Sequence, residues 1–155
     1  MTRDSDKTLS LDERCKIAND KDAALFISMH RNKAVKNENE IYGLEVWTSK
    51  RKLEEGTLLA KNVHERLINE EQTRDRGVKY GSSTGENSDY YVNRNTNMPS
   101  ILIEAGFITN AEDNRLYDEN LDNYAKAIAH GIIETLFELY PDENMIQIVT
   151  NSNIN

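Results

Sequence analysis

The sequence has little of several features that would each define a class of protein. It contains one cysteine, Cys15, in 155 residues, so an internal disulfide plays no part in its stability. No apolar run approaches the roughly 20 residues that cross a bilayer. The N-terminal segment "MTRDSDK" lacks the apolar core of a secretory signal. Positive charge is also scarce, with 19 Lys and Arg against 27 Asp and Glu, which argues against a partner nucleic acid.

Three segments have helical periodicity. Ser10 and Glu13 have the spacing of a capping box, so a helix is expected to follow Ser10 and to bury Cys15 in the core. Two longer helices are predicted over residues 54–69 and 121–140, each with an apolar stripe at helical spacing. The stripes consist of Leu59, Val63 and Leu67 in the first helix and Leu121, Ala125, Ile128, Ile132 and Leu136 in the second.

Strands are predicted between these helices. Residues 23–29 and 100–104 are short apolar runs, and Tyr42, Leu44 and Val46 alternate with polar residues. Strands that alternate with helices predict an α/β fold with a mostly parallel sheet flanked by helices. The segment 72–89 is rich in Gly, Ser, Thr and Asn without periodicity, and is predicted to be a long mobile loop.

His30 and Glu104 each come where a predicted buried strand ends. Ligands of open α/β sheets gather at the carboxyl ends of strands, so the two side chains would meet if their strands are neighbours. An imidazole that binds Zn²⁺ and a carboxylate that takes a proton from metal-bound water would make a zinc hydrolase. In the structural alternative, His30 forms only a hydrogen bond and Glu104 pairs with a Lys or Arg. Spacing alone favours this alternative.

A known enzyme family shares a series of segments with this chain, in the same order. The segments are "TRDSD", "LSLDERCKIAN", "FISMHRN", "GLEVWTS", "RGVK", "NRNTNMPSILIEAGFITNAED" and "IAHGI". They resemble the zinc-dependent N-acetylmuramoyl-L-alanine amidases of bacterial autolysins, sporulation hydrolases and phage endolysins. The resemblance runs from Thr2 to about Leu139. Its most specific parts are Ser-x-His-x-Asn at residues 28–32 and Glu-x-Gly-Phe at residues 104–107.

The resemblance implies a fold, a reaction and a site. The fold would be the amidase/phosphorylase-like α/β sheet, and the enzyme would cut the amide between N-acetylmuramic acid and the L-alanine of the stem peptide. His30 would ligate the single zinc ion and Glu104 would be catalytic. The partner would be peptidoglycan, with no membrane span. The protein would act on the cell wall outside the cell and, without a signal peptide in this chain, would be cytoplasmic before export or lysis.

The chain departs from the family at its beginning. Family members start with a strand and a Gly-His-Gly-Gly-like turn that supplies another histidine ligand, and a following helix supplies a glutamate ligand. Neither precedes Thr2, so residues 1–140 are expected to form an amidase domain that lacks its first strands and helix. Residues 141–155 would be a tail or the start of a linker. Since His30 is the only family ligand present, the chain alone is expected to bind zinc weakly or not at all.

Other functions stay open at this point. His64 is expected to be a partly exposed helix residue, and His130 is expected to be structural or solvated. These histidines or Cys15 would replace the missing ligands only if the fold brought them close. A non-catalytic amidase remnant could still hold glycopeptide or another protein. An unrelated α/β domain could share the pattern and bind a different ligand. Zinc stoichiometry separates the enzyme from both alternatives.

Overall fold

The computed structural model describes residues 1–36, 40–51, 53–70, 73–85 and 88–141. Within these ranges the elements are α1 (Leu11–Asp20), β1 (Phe26–Asn32), β2 (Leu44–Thr48), α2 (Leu53–Glu70), β3 (Asp75–Tyr80), α3 (Tyr91–Asn95), β4 (Ser100–Phe107), α4 (Ala111–Glu119) and α5 (Leu121–Leu139). None of the helices in this part of the chain has both the length and the apolar character that a membrane crossing requires. The predicted tail lies outside the described residues beyond Pro141, and the predicted domain boundary stays a prediction.

The four strands form one sheet in the order β1–β4–β2–β3. β1 pairs with β4 and β2 pairs with β3 in parallel, whereas β2 and β4 are antiparallel. The predicted α/β fold with flanking helices is therefore confirmed, but the sheet is mixed. The difference arises because β4 enters between β1 and β2 and runs against β2. Since β4 is central, it brings the two parallel halves of the sheet into contact.

Helices cover both faces of the sheet, and each face has its own core. The α2 and α5 face includes Leu44, Val46, Leu59, Val63, Leu67, Ile101, Ile103, Ala127 and Ile128. The α1 and α3 face includes Cys15, Ala18, Phe26, Trp47, Val92, Met98 and Leu102. Burial on both sides explains why all eight residues of β4 are buried.

The predicted helices are present. α1 has the full capping box, in which Ser10 accepts from the Glu13 amide and Glu13 accepts from the Ser10 amide. The stripe of α2 is completely buried. In α5 the predicted stripe is partly wrong, because Leu121 is 53% exposed. The helix turns Gly131 toward α2 instead, where an added Cβ would lie 2.5 Å from the Cα of Val63.

Two strands extend beyond their predicted ends. β1 covers Phe26–Asn32 rather than 23–29, and β4 runs on to Phe107. His30 and Glu104 therefore lie within their strands and not at the ends. The β1–β4 ladder explains the correction, since its backbone pairing continues through polar residues that an apolar pattern does not register.

The segment 72–89 contains β3, so the prediction of a loop is wrong for Asp75–Tyr80. Residues 72, 86 and 87 lie outside the described residues, and the predicted mobility of the segment stays a prediction. Val78 is the only aliphatic residue of β3, which leaves no alternating pattern in the sequence. The strand is specified instead by its backbone pairing with β2. A smaller correction concerns Tyr42, which lies outside β2 and is 39% exposed.

Candidate active site

One face of the sheet carries a row of polar side chains that crosses all four strands. His30 of β1 lies opposite Glu104 of β4, and Glu104 lies opposite Glu45 of β2. Residues directly opposed in an antiparallel pair have Cβ atoms about 4.5–5.5 Å apart. Lys79 of β3 completes the row through its ion pair with Glu45. His30 and Glu104 thus sit on neighbouring strands, the condition under which the sequence predicts that they meet.

His30 is held near a hydroxyl group of its own strand. Its Nε2 lies 2.9 Å from Oγ of Ser28, two residues earlier and on the same face. Burial of part of the ring lowers the pKa of His30, and the positive charge of Arg14 lowers it further. The imidazole is therefore mainly neutral at pH 7, which is the form that binds metal. The contact with Ser28 also agrees with the hydrogen bond of the structural alternative.

Glu104 is a buried carboxyl group with an open acceptor position. The residue is 8% exposed, and its Oε2 is buried without a hydrogen-bond partner among the described residues. Burial, followed by the negative charge of Glu45, raises the pKa of Glu104 to about 7. The Lys or Arg partner of the structural alternative does not occur among the ion pairs of the described ranges. A carboxyl group in this state suits general acid–base chemistry.

Both carboxylate oxygens of Glu45, on the next strand, accept hydrogen bonds from side chains. It is 2% exposed, and its Oε1 accepts from Nε1 of Trp47 at 2.9 Å and from Nδ2 of Asn32 at 3.0 Å. Its Oε2 accepts from Nε of Arg76 at 2.8 Å and from Nζ of Lys79 at 2.7 Å. Burial alone would raise the pKa of Glu45, but the hydrogen bonds from Lys79, Arg76 and Trp47 outweigh it and hold the pKa below its usual value.

Asp113 of α4 packs against the backbone of the Glu-x-Gly-Phe segment and hydrogen-bonds to it. Gly106 has a φ of 79°, and a Cβ there would lie 2.9 Å from Cγ of Asp113, so the position requires glycine. Oδ2 of Asp113 accepts from the backbone N–H groups of Phe107 at 2.7 Å and Gly43 at 3.0 Å. These bonds join the end of β4 to the chain entering β2 and so align the strands that carry the two facing carboxyl groups.

The described residues supply only part of a zinc site. A catalytic zinc ion has three protein ligands and one open position. Within the described ranges, no group of three His, Cys, Asp or Glu side chains is arranged to hold a metal. The row offers one imidazole, at His30, and one carboxylate oxygen without a partner, at Glu104. This donor set fits one ligand and one base, and does not fit a complete zinc site.

The three possible replacement ligands lie elsewhere in the fold. His64 belongs to α2, on the opposite side of the sheet, and its Nε2 is 2.8 Å from Oδ1 of Asp75. His130 is exposed on α5. Cys15 is 2% exposed, inside the core between α1 and the sheet. The histidines therefore have the surroundings predicted from the sequence, and Cys15 packs as the predicted core residue.

Sequence reasoning missed Glu45 and its donors. The available signal was a charged residue inside the apolar segment "GLEVW", together with two cations in "RGVK". A buried charge is rare without a partner, so these two segments could have been matched to each other. The match requires β2 and β3 to be neighbours, and β3 was not predicted.

Comparisons with known proteins agree on one family. A sequence model described as N-acetylmuramoyl-L-alanine amidase (Amidase_3) matches residues 1–134. YqiI of Bacillus subtilis (strain 168) is 38% identical over 134 residues, which cover 84% of this chain and 60% of YqiI. The amidase LytC of the same strain is 33% identical over 141 residues, which cover 86% of this chain and 26% of LytC. The chain thus spans less than two thirds of these relatives.

A solved structure extends the agreement to the fold. The catalytic domain of CwlV, an N-acetylmuramoyl-L-alanine amidase from Bacillus (Paenibacillus) polymyxa var. colistinus, superposes with a TM-score of 0.74 at 31% identity. The superposition covers 87% of this chain and 70% of the CwlV chain.

Proposed function

The chain belongs to the N-acetylmuramoyl-L-alanine amidase family, and from this premise we propose that it works as part of a zinc-dependent peptidoglycan hydrolase. The bond cleaved would be the amide between N-acetylmuramic acid and L-alanine of the stem peptide. The observation that carries the proposal is the register of β1 and β4, which sets His30 directly beside Glu104. The substrate places the site of action at the cell wall.

Glu104 is the proposed catalytic residue. Its unpartnered Oε2 can accept a proton from the attacking water and return it to the nitrogen of the departing L-alanine. A pKa of about 7 lets one carboxyl group serve as base and then as acid near neutral pH. The fixed surroundings of Glu45 keep a second negative charge on the next strand, which favours the protonated form of Glu104 after the first transfer.

His30 is the proposed metal ligand, through the imidazole that its strand presents beside Glu104. When bound, zinc supplies Lewis acidity toward the scissile carbonyl and the water. The remaining ligands are not found among the described residues, so the chain alone is expected to bind zinc weakly or not at all. A longer catalytic unit would supply them, and 30% of the CwlV catalytic domain has no counterpart in the superposition, since 70% is covered.

The test compares this chain with a chimera in which it replaces the matched part of the CwlV catalytic domain. Purified peptidoglycan is digested with each protein, and the products are identified by mass spectrometry. We expect the chimera to release peptides with a new L-alanine amino terminus and glycans that keep the lactyl carboxylate. His30→Ala should abolish this release, while His64→Ala, a histidine on the other side of the sheet, should preserve it. Products cut within the glycan or within the peptide would contradict the proposal.

A wall-binding module without hydrolysis is the second candidate. It is favoured by the incomplete ligand set of the described residues. A chimera that binds peptidoglycan, takes up no zinc and releases no L-alanine termini would support this candidate over the enzyme.

A further inference from the structure

Two cations of β3 have no part in the proton transfers of the proposed reaction. Arg76 and Lys79 both bond to the same oxygen, Oε2 of Glu45, at 2.8 and 2.7 Å. Their side chains are 24% and 32% exposed, so each also reaches solvent. Glu45 of β2 lies directly opposite Glu104, and the two cations belong to β3, the second strand from that of the proposed catalytic residue.

Aromatic rings hold both cations in place. Nζ of Lys79 is 5.2 Å from the centroid of the Trp47 ring, and Cζ of Arg76 is 5.0 Å from the centroid of Phe107. Cations over aromatic faces are attracted by the ring electrons. Because the positions are fixed before any ligand arrives, little side-chain entropy would be lost on binding.

The charges of this cluster do not cancel. One carboxylate, that of Glu45, faces two cations, which leaves a surplus of one positive charge. Within the described ranges, the side-chain hydrogen bonds of Arg76 involve only its Nε. Its two terminal amino groups therefore have donors available for a further acceptor. An anion with oxygen acceptors, such as a carboxylate, would satisfy both the charge and the donors.

The distance from Glu104 selects which carboxylate of the substrate could reach this cluster. Neighbouring strands are about 4.8 Å apart, and an extended peptide advances about 3.3–3.6 Å per residue. The cations lie one to two strand spacings from Glu104, so the acceptor belongs one or two residues beyond the scissile amide. L-Alanine, the first stem residue, has no charged side chain. The second residue, a γ-linked D-glutamate, has an α-carboxylate that is free in some walls and amidated in others.

We propose that Arg76 and Lys79 form a subsite for the α-carboxylate of the second stem residue, and that the site therefore distinguishes free from amidated stems. The proposal rests on the proposed amidase function, because that function places the scissile bond at Glu104. It assigns a role to the "RGVK" segment and makes Glu45 a positioning residue, which orients both cations without touching substrate.

The test measures binding to this chain, so it needs no hydrolysis. The two probes are N-acetylmuramoyl-L-alanyl-γ-D-glutamyl-L-lysinamide and its counterpart with D-isoglutamine, which differ only in the α-carboxylate. Dissociation constants come from NMR titration of the labelled chain. We expect the free-acid probe to bind about fivefold more tightly, equivalent to one partly exposed charge-assisted contact. Lys79→Met and Arg76→Met should each reduce this preference toward unity.

Matched controls separate the subsite from general charge and from misfolding. Lys79→Arg keeps the charge and should keep the preference. Arg66→Gln removes one cation from a partly exposed ion pair with Glu134 on the α2 and α5 face of the sheet, and should leave the preference intact. Thermal unfolding of each variant shows that it is folded. Equal affinity of the parent chain for the two probes, no binding of either, or a preference that survives both Met substitutions would overturn the subsite. Failure of the chimera to hydrolyse peptidoglycan with this preference intact would count against the amidase function alone.

Discussion

Glu104 and Glu45 face each other across β4 and β2, yet their surroundings are opposite. Both are buried, at 8% and 2% exposure. Glu45 accepts hydrogen bonds from four side chains, two of them cationic, and its pKa lies below the usual value. Glu104 has an oxygen without a partner in the described part of the chain, and its pKa rises to about 7.

The contrast separates a carboxylate whose anion is stabilised from one whose anion is destabilised. Hydrogen bonds to the charged form stabilise Glu45 as an anion, whereas burial without such bonds destabilises the anion of Glu104. Each charge also affects the other, since the negative charge of Glu45 contributes to the raised pKa of Glu104. The β2–β3 half of the sheet therefore keeps the carboxyl group of Glu45 ionised, and the β1–β4 half holds a carboxyl group, Glu104, that can exchange a proton near neutral pH.

The largest stability effect is expected from Glu45→Gln. The substitution leaves two cations without their buried counter-ion, and breaking such a pair costs about 3–5 kcal/mol. Because Arg76 and Lys79 are partly exposed, we expect the lower end of that range. Urea unfolding at pH 7 measures the change. Glu112→Gln, which breaks an exposed pair with Arg115, is the control and should change the midpoint little. An equal loss of stability from the two substitutions would contradict the view that the buried carboxylate of Glu45 is stabilised by its donors.

Glu104→Gln should have the opposite sign in metal-free protein. The carboxyl group has a pKa of about 7 in the folded chain against an ordinary value of 4.5. The folded state therefore binds more protons between these pH values, and the parent loses stability as pH rises through that window. At pH 8 the variant should be more stable than the parent by up to about 3 kcal/mol. Below pH 4.5 the difference should vanish. Urea unfolding in EDTA at pH 4 and pH 8 tests this, and a variant less stable at pH 8 would contradict it.

Trp47→Phe should give the smallest of the three effects. It removes one neutral donor from Glu45, and a hydrogen bond to a charged group contributes about 1.5–3 kcal/mol. Since three donors stay in place, we expect a loss near the lower figure at pH 7, and a smaller loss once the pH has fallen through the lowered pKa of Glu45 and its carboxylate is protonated. Tyr90→Phe is the control, because its ring packs on Trp47 while its hydroxyl bonds only to Ser83 in the described ranges. A loss that does not depend on pH would assign the effect of Trp47→Phe to packing alone.

Much of the helical framework could be predicted because its signals are local. The capping box before α1 and the stripe of α2 depend on residues three to four positions apart, and both are present. The meeting of His30 and Glu104 was predicted only on the condition that their strands are neighbours. That condition concerns residues 74 positions apart in the sequence, and the parallel β1–β4 register satisfies it.

The other half of the row depends on contacts that have no local signal. β3 has one aliphatic residue, and its charged side chains are accounted for by Glu45, more than 30 positions earlier. Gly77, with a φ of 83°, interrupts the strand pattern further. Without β3, the charge of Glu45 had no visible partner, and the contrast between the two facing carboxyl groups could not be foreseen.

The most direct measurement of the central assignment is zinc content and hydrolysis rate together, in one set of CwlV chimeras. Glu104→Gln should bind zinc as the parent does and hydrolyse peptidoglycan more slowly by a factor of about 10²–10⁴, as expected for loss of a general base. His30→Ala should lose the zinc itself. Glu45→Gln should keep the zinc. If Glu104→Gln hydrolyses peptidoglycan at the parent rate, or if His30→Ala retains one tightly bound zinc ion, the assignment of base and ligand is contradicted.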